Sequence, residues 1–426
     1  MKKLGILILS AFIVVLCASC QGRRAGSEDV LTVCVDAELE QAGQELIDTW
    51  EYLHDGEEAK LIIIPKDSEM SETRITELRT EIMSGEGPDV FLLFGMNPNW
   101  SEDSKERSVL FSNPEKAMNA DAFLPLDEYL EEAQYLDTEE WNPAFLESGR
   151  TEEGQMFLPV CYEYGAYAFR TKDIESAAVP SSWEELSSGE NEAIVDGISG
   201  RGLPFYNIFG GLVDYQEDKL LFSEEELSAR LQEAISFMEQ HIRLLEEREG
   251  DGVQAIAGMR FGNDFVEALK ADREEKHSLC GFSNVEGGMT ANVTIFAAIN
   301  RNTEWPEEAF SLLDVLFSDE VMGGNGFADG DKTYGSMLGA DLGFYGGMPV
   351  SPIALEKACE GLTEEDREAI EQMMERIDVV RCYSDLDKEL QDLYEDCYNH
   401  GRILKEEQRN ILLKQTLDTI KMKLSE

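Results

Sequence analysis

The sequence predicts an α/β fold divided into two lobes. Short apolar runs alternate with helical patterns along the first hundred residues, an order typical of strands joined by helices. The chain has 426 residues, of which 42% are hydrophobic. That length exceeds what a single hydrophobic core usually supports, so two lobes are expected.

The first predicted elements alternate regularly. Apolar runs of strand length are followed by segments that repeat apolar side chains at helical spacing. The predicted strands are residues 31–35, 61–64 and 89–93, and the predicted helices are residues 36–50 and 75–83. This alternation predicts a largely parallel sheet.

Later segments carry helical and loop patterns. Ser182 is the expected N-cap of a helix that begins at Trp183. Residues 224–249 predict a long amphipathic helix with a charged outer face. The glycine-dense residues 323–347 indicate a loop with little structure of its own, and from Ile353 onward the pattern is almost wholly helical.

Acidic residues far outnumber basic ones. The chain carries 87 Asp and Glu against 36 Lys and Arg, a formal charge of −51. Such a surface repels phosphate backbones, so nucleic acid is excluded as a partner. A solvated, self-repelling surface explains the acidity, and a cation-attracting cleft is the alternative.

The N-terminus predicts export. Lys2 and Lys3 precede an apolar stretch over residues 4–16, which is too short to span a bilayer, and small residues follow it. Residues 1–19 are therefore predicted to be a signal peptide, and the mature protein is expected outside the cytoplasm.

A cysteine follows the predicted cleavage point. Ala18-Ser19-Cys20 resembles the bacterial lipobox, in which the cysteine carries diacylglycerol. We therefore expect lipidation at Cys20, a tether over residues 20–28 and a location on the outer face of the cytoplasmic membrane. Cys17 stands where the lipobox usually has Leu, so cleavage without lipidation is the alternative.

The remaining cysteines lack the spacing of a zinc site. Cys34 and Cys161 lie in apolar runs and are expected to be small buried hydrophobes. Disulfide bonding is left open for three others, namely Cys359, Cys382 and Cys397.

Motifs for catalysis, metals and nucleotides are missing from the sequence. Asp329-Gly330-Asp331 starts like a calcium loop, but the glycine and glutamate that an EF-hand requires do not follow. No phosphate-binding loop or zinc-hydrolase motif occurs, and the chain has only four histidines. We predict no catalytic residue, no metal site and no cofactor.

Three stretches together indicate a family. A helix ends on a Gly-Pro-Asp turn within residues 83–90 and feeds a strand. Residues 154–164 read Gly-Gln-Met-Phe-Leu-Pro-Val-Cys-Tyr-Glu-Tyr, and residues 180–186 read Pro-Ser-Ser-Trp-Glu-Glu-Leu. A strand and helix over residues 298–313 complete the set. In order and separation these resemble the family 1 extracellular solute-binding proteins, the sugar-binding receptors of ABC importers, from residue 31 to about 350.

The resemblance implies a two-lobed, periplasmic-binding-protein-like (type II) fold whose lobes close over a solute by a hinge motion. Lobe one would comprise residues 29–157 and 292–345, and lobe two residues 158–291 and 346–426. The protein would be a receptor, not an enzyme, that delivers a small solute to ABC permease subunits in the membrane.

Candidate ligand contacts combine carboxylates with aromatic rings, the groups that bind sugar hydroxyls and stack on sugar faces. By the resemblance, Glu163 in the crossover stretch is a cleft residue; the alternative is a solvated strand charge. Tyr162 and Tyr164 lie on the opposite strand face, so one of them is expected in the core. Asp36 and Glu38 follow the first strand, although Asp36 is equally well explained as an N-cap.

Further candidates follow the third strand and a later aromatic cluster. Phe94, Met96 and Asn97 come at the end of that strand, where open α/β sheets bind ligands, and Trp100 lies in the polar loop beyond. The aromatic candidates of lobe two, which a small satellite core explains as well, are Tyr206, Phe209 and Phe261. Trp183 is assigned to packing.

The predicted cargo is a carbohydrate, either a mono- or an oligosaccharide. The alternative with the same fold is a polyamine or other cation, held by carboxylates and aromatic walls. A secreted glycoside hydrolase, whose paired carboxylates the many acids could hide, is disfavoured by the α/β order.

Overall fold

A computed structural model describes residues 30–96, 109–174, 179–247, 252–399 and 402–425. The predicted signal peptide, the Cys20 tether, Asn97 and Trp100 lie outside the described residues. Among the described helices, none combines the length and apolar character needed to cross a bilayer.

Strands and helices are numbered in chain order. The strands are β1 (Leu31–Asp36), β2 (Ala59–Ile64), β3 (Val90–Phe94), β4 (Arg150–Thr151), β5 (Gly154–Gln155), β6 (Phe157–Tyr164), β7 (Ala166–Arg170), β8 (Val213–Asp214), β9 (Lys219–Leu220), β10 (Ala257–Gly258), β11 (His277–Gly281), β12 (Met289–Ile299), β13 (Phe327–Asp329), β14 (Lys332–Tyr334), β15 (Met348–Pro349), β16 (Ile377–Cys382), β17 (Tyr398–Asn399) and β18 (Arg402–Ile403).

The helices are α1 (Glu40–Leu53), α2 (Ser68–Met83), α3 (Pro114–Asn119), α4 (Asp127–Leu130), α5 (Pro143–Glu147), α6 (Trp183–Ser188), α7 (Glu192–Ser199), α8 (Glu224–Glu247), α9 (Asn263–Ala271), α10 (Pro306–Leu316), α11 (Asp319–Met322), α12 (Leu338–Gly346), α13 (Pro352–Ala358), α14 (Glu364–Glu375), α15 (Asp385–Cys397) and α16 (Glu406–Ser425). Short 3₁₀ turns cover Ala37–Leu39 and Phe205–Ile208. Ser182 caps α6 as predicted, because its side chain accepts the N–H of Glu185.

The main sheet of the described residues has the order β15-β6-β12-β3-β1-β2, and β16 also pairs with β12. Strands β2, β1 and β3 are parallel to one another. Strand β12 runs antiparallel to both β3 and β6. The prediction of a largely parallel sheet was therefore wrong beyond β3, because the long strand β12 returns between two strands of the opposite direction.

Strand β12 connects two regions of the fold. Its first half, from Met289 to Val293, pairs with β16, and its second half, from Ile295 to Ile299, pairs with β3 and β6. All eleven residues are buried, as expected for a run of apolar and β-branched side chains.

Two predicted segments differ in the structure. The chain beyond Ile353 is not wholly helical, because β16 forms there; its Ile-Asp-Val-Val-Arg-Cys run is rich in β-branched residues and buries Val380 and Cys382 beside β12. The glycine-dense region before it is not a plain loop. It folds into the β13–β14 hairpin and α12, whose Leu338 and Leu342 lie one turn apart and are both buried.

Buried apolar side chains of the described residues form two clusters. The first core surrounds the main sheet and includes Val33, Leu92 and Phe296. The second core packs β7 and β11 with α6 to α8, α15 and α16. Some residues after 158 and after 346, which the sequence assigned to lobe two, also pack in the first core. The exact lobe boundaries stay a prediction.

The six cysteines of the described residues are all free and buried. The open question of a disulfide is therefore answered: Cys359 and Cys382 lie in the first core and Cys397 in the second, each among apolar side chains. Burial raises the pKa of the Cys359 and Cys397 thiols to about 11, so both stay protonated and unreactive at neutral pH. Cys34 and Cys161 are buried, as predicted.

Candidate functional site

Three strands end at one edge of the main sheet. Because β6 and β3 are both antiparallel to β12, they run in the same direction, and β1 is parallel to β3. Their last residues are Asp36, Phe94 and Tyr164. Open α/β sheets bind ligands at the carboxyl ends of their strands, so this edge of the sheet is the candidate ligand site.

Glu163 is the centre of a polar cluster at this edge. Its side chain is nearly buried, yet its two oxygens accept hydrogen bonds from Nη1 of Arg260 at 3.1 and 3.4 Å. The hydroxyl of Tyr383 donates to the same carboxylate at 3.3 Å. Burial raises the pKa of Glu163, and the guanidinium of Arg260 opposes that rise.

Tyr383 extends the cluster toward the second core. Its hydroxyl lies 3.2 Å from the hydroxyl of Tyr206, and its carbonyl accepts the N–H of Met96 at 3.2 Å. The cluster thus joins the end of β3, the end of β6 and the chain that follows β16. Arg260 contributes the positive charge of the cluster, and 43% of its side chain is exposed to solvent.

A groove opens beside the end of β1, and we call it the α1 groove. It has a volume of about 700 Å³, within the range of small-molecule sites. Its floor is one face of α1, and its walls come from the β13–β14 hairpin and from α12. The lining residues are Ala37, Glu38, Glu40, Gln41, Gln44, Glu45, Asp48, Thr49, Lys332, Thr333, Tyr334, Gly335 and Tyr345.

Two aromatic rings stand exposed at the end of α12. Phe344 is 77% exposed and Tyr345 is 47% exposed, and their rings meet edge to face with centroids 4.9 Å apart. Tyr345 also lines the α1 groove. Exposed rings beside carboxylates and amides are the combination that sugar faces and hydroxyls require.

Glycines bring α12 close to Glu163. A Cβ on Gly346 would lie 2.5 Å from Ile295, and a Cβ on Gly347 would lie 2.8 Å from Cγ of Glu163. Gly347 also has a φ of +95°, which other residues rarely adopt. Phe344 and Tyr345 therefore precede, by three and two residues, the glycine whose backbone packs on Glu163.

The far wall of the groove is a stack of side chains. The rings of Tyr52 and Tyr334 are parallel, with centroids 4.3 Å apart, and the Lys332 ammonium lies 3.9 Å from the Tyr334 ring centre. The Tyr334 ring therefore lies between Tyr52 and Lys332, so both of its faces are already covered.

The predicted carboxylates have different surroundings. Asp36 is buried, and its side chain accepts the N–H of Phe94 at 2.9 Å, which ties β1 to β3. It makes no capping bond to the turn that follows, so the N-cap explanation was wrong. Glu38 faces the α1 groove and lies 3.6 Å from the Lys66 ammonium.

The predicted aromatic contacts are buried in this structure. Tyr164 stacks on Phe261, with ring centroids 4.6 Å apart, and Tyr162 packs beside Tyr164. All six rings are less than 9% exposed: Phe94, Tyr162, Tyr164, Tyr206, Phe209 and Phe261. Their contact with a solute stays a prediction, as does that of Met96, which is half-buried at the end of β3.

Sequence reasoning missed Arg260, Tyr383 and the exposed pair on α12. Arg260 stands 97 residues from Glu163 and Tyr383 stands 220 residues away, so no local pattern links them. The pair was missed because its region was predicted to be a loop. The leucines at positions 338 and 342 are the signal that could have predicted a helix here, and their spacing places Phe344 on its outer face.

In the part of the chain that the structure describes, no three His, Cys, Asp or Glu side chains are grouped so as to hold a metal ion. The cluster at Glu163 contains one carboxylate, one guanidinium and two phenols. This arrangement offers donors and acceptors for binding.

Several solved structures similar to this chain are solute-binding proteins. They include an extracellular solute-binding protein family 1 from Alicyclobacillus acidocaldarius (14% identity, TM-score 0.57, covering 94% of this chain and 100% of that one). A periplasmic oligogalacturonide binding protein from Yersinia enterocolitica has 15% identity and a TM-score of 0.58, covering 92% and 100%. The sugar-binding protein MalE from Xanthomonas citri has 10% identity and a TM-score of 0.59, covering 93% and 97%.

These likenesses show the fold. The two-lobed, periplasmic-binding-protein-like fold predicted from the sequence is confirmed, and the Alicyclobacillus protein bears the name of the family that the three sequence stretches resemble. No protein-family model and no curated protein matches the sequence.

Proposed function

We propose that this chain is the extracellular solute-binding receptor of an ABC import system, which captures a carbohydrate between its lobes and delivers it to the membrane permease. The observation that carries the proposal is the exposed pair Phe344 and Tyr345 beside the α1 groove. Two exposed rings that meet edge to face form a contiguous apolar patch, and such patches, unlike single exposed side chains, mark interaction sites. The pair has carboxylates and amides next to it, and Glu163 is close by.

The groove supplies both donors and acceptors. Gln41 donates to Asp341 at 3.2 Å and Gln44 donates to Asp48 at 2.7 Å, so each amide is held in position by a carboxylate. Fixed amide and carboxylate groups of this kind match the donor and acceptor character of sugar hydroxyls. A solute that reached from this groove past Glu163 to Tyr383, which belongs to the second core, would touch both lobes and so favour their closed arrangement.

A second candidate is a cationic solute such as a polyamine. Four carboxylates line the groove against a single lysine, Lys332, and the exposed ring of Tyr345 beside them offers a cation–π face. The same receptor function would then serve a different cargo. We further propose, from the sequence, that the receptor is tethered by lipid at Cys20 on the outer face of the cytoplasmic membrane, beside its permease.

Thermal unfolding of residues 21–426 against a panel of mono- and oligosaccharides, polyamines and amino acids tests the cargo. A solute at 100 times its dissociation constant adds about 2.7 kcal/mol to the free energy of unfolding. Stabilisation by a sugar supports the proposal. Stabilisation by spermidine with none by any sugar would replace it with the second candidate, and turnover of a glycoside would refute a receptor.

Variants of the aromatic pair locate the site. The double substitution F344A/Y345A should weaken binding of the stabilising solute about tenfold or more, since each ring contact contributes on the order of 1 kcal/mol. Stability without solute should hardly change, because both rings are exposed. The control is Met83→Ala, which removes an 88% exposed side chain at the end of α2. Equal affinity of both variants would place the solute elsewhere.

A further inference from the structure

A short segment, which ends in the first turn of α3, joins the two cores. We call this segment, residues 112–116, the strap. The chain just before it is anchored in the first core. Arg79 of α2 donates to the carbonyls of Val109 and Leu110 at 3.0 and 2.9 Å. The Phe111 ring packs edge to face on Phe91, with centroids 5.3 Å apart.

Polar groups of the strap bind elements of the second core. The backbone N–H of Asp385, at the start of α15, donates to the carbonyl of Ser112 at 3.1 Å. The Lys116 ammonium donates to the carbonyl of Leu424 at 2.8 Å, near the end of α16. A cation at a helix C-terminus satisfies free carbonyls and complements the helix dipole. The strap thus ties the last two helices to the first core.

Glu115 is the ionisable group in the middle of the strap. One of its oxygens accepts the N–H of Cys382 at 3.0 Å. Arg381 lies nearby but is already paired with the buried Asp387. Burial raises the pKa of Glu115 to about 7, Arg381 lowers it and Asp387 raises it.

Two groups that face Glu115 keep their charge state near neutrality. Arg381 of β16 stays protonated and is paired with Asp387 of α15. Tyr215, in the turn after β8, has its pKa raised well above the usual value by burial, so it stays neutral. The hydroxyl of Tyr215 accepts a hydrogen bond from Asn113 of the strap.

The strap lies next to the cluster at Glu163. Cys382, which donates to Glu115, precedes Tyr383, whose hydroxyl donates to Glu163. Arg381 donates to the carbonyl of Tyr206 at 3.1 Å. Movement of the strap relative to β16 would therefore reach the side chains at which the two cores meet.

We propose that the strap is a pH-responsive joint between the lobes: it holds while Glu115 is protonated and loosens when Glu115 ionises. An ionised carboxylate gains hydration when the strap detaches, whereas a neutral one does not. Rising pH should therefore favour the detached state, by at most tenfold per pH unit for one proton. The proposal needs the two-lobed fold and is independent of which solute is bound.

Amide hydrogen exchange of residues 21–426 between pH 4 and 8.5 tests this. The amides of Cys382 and Asp385 donate to the strap, so their protection reports its opening once intrinsic exchange is corrected for pH. We expect protection to fall as the pH rises from about 4.5 to 7 and to be flat above pH 7.5, because the Glu115 carboxyl has its ordinary pKa of 4.5 in the detached state and a pKa of about 7 in the attached state. In Glu115→Gln it should stay flat throughout, and in the control Glu128→Gln, an exposed glutamate of α4, it should follow the wild type.

Wild-type amide protection that does not change with pH would overturn the proposal. A decline of amide protection in Glu115→Gln equal to that of the wild type would also overturn it. The amide of Ile194, which donates to Asn191 within the second core, serves as the internal reference and should show no decline. Should Glu115→Gln fail to fold, Glu115→Asp decides: it keeps a titrating group, so the decline must persist. Loss of the decline in that variant would refute the joint.

Discussion

Replacing Arg260 by methionine removes the cation that faces Glu163 and keeps most of the side-chain volume. Glu163 is 7% exposed, so it would remain nearly buried with only the Tyr383 hydroxyl to compensate its charge. Breaking a fully buried ion pair in this way costs about 3–5 kcal/mol. Because 43% of the Arg260 side chain is exposed, water screens part of the interaction, and we expect a loss of about 1–3 kcal/mol at pH 8.

The loss should depend on pH in a definite direction. Burial already raises the pKa of Glu163 above its unfolded-state value, so the folded protein binds this proton more tightly than the unfolded chain does. Its contribution to stability is therefore greatest at low pH and is lost as the pH rises through the folded-state pKa. Removing Arg260 raises that pKa further. The cost of Arg260→Met should then be larger at pH 8 than at pH 5.

Urea unfolding of four proteins at both pH values completes the test: the wild type, Arg260→Met, Glu163→Gln and the double variant. In the Glu163→Gln background, Arg260→Met should cost at least 1 kcal/mol less than in the wild type, because no buried charge is left uncompensated. An equal cost in both backgrounds and at both pH values would show that the pair is not coupled. The account of the cluster given above would then fail.

Three further predictions follow from local geometry. Gly347→Ala should cost about 1–3 kcal/mol of stability by urea unfolding, because φ is +95° and the new Cβ would lie 2.7 Å from the carbonyl oxygen of Tyr162. The control Gly287→Ala has a similar φ of +96° but no neighbouring atom within 4 Å, so it should cost clearly less. Equal costs would refute the contact at Gly347. The six buried thiols should react with a chromogenic disulfide reagent only on unfolding, whereas fast reaction of the native protein would contradict their burial. Cys20→Ala should move the protein from the membrane fraction to the medium, and retention on the membrane would refute the lipid tether.

The sequence predicted the parts of the fold that depend on local pattern. Alternating apolar runs located β1 to β3 and their helices, and Ser182 was identified as a cap from its position alone. The resemblance placed Glu163 in the crossover strand, and the structure puts it where β1, β3 and β6 end together. Strand direction beyond β3 could not be predicted, since it depends on how β12 returns through the sheet.

Aromatic side chains could not be sorted from the sequence. Tyr206 and Phe261 were candidates for stacking on a solute, yet both are fully buried. Phe344, the most exposed aromatic ring of the described residues, was not a candidate at all. Composition and motif do not say which ring faces water, because that depends on how α12 docks through its glycines onto β12 and Glu163.

The hydrogen bonds that Glu163 already makes indicate which side chains would supply the binding free energy of a solute. Its oxygens already accept hydrogen bonds from Arg260 and Tyr383, so a solute hydroxyl at Glu163 would exchange one partner for another and gain little. Phe344 and Tyr345, in contrast, lose exposed apolar surface only when something covers them. Since a solute shifts the balance between open and closed lobes only by the contacts that differ between them, we expect the rings and the α1 groove to supply most of the binding free energy. Glu163 would then act mainly by orienting the solute.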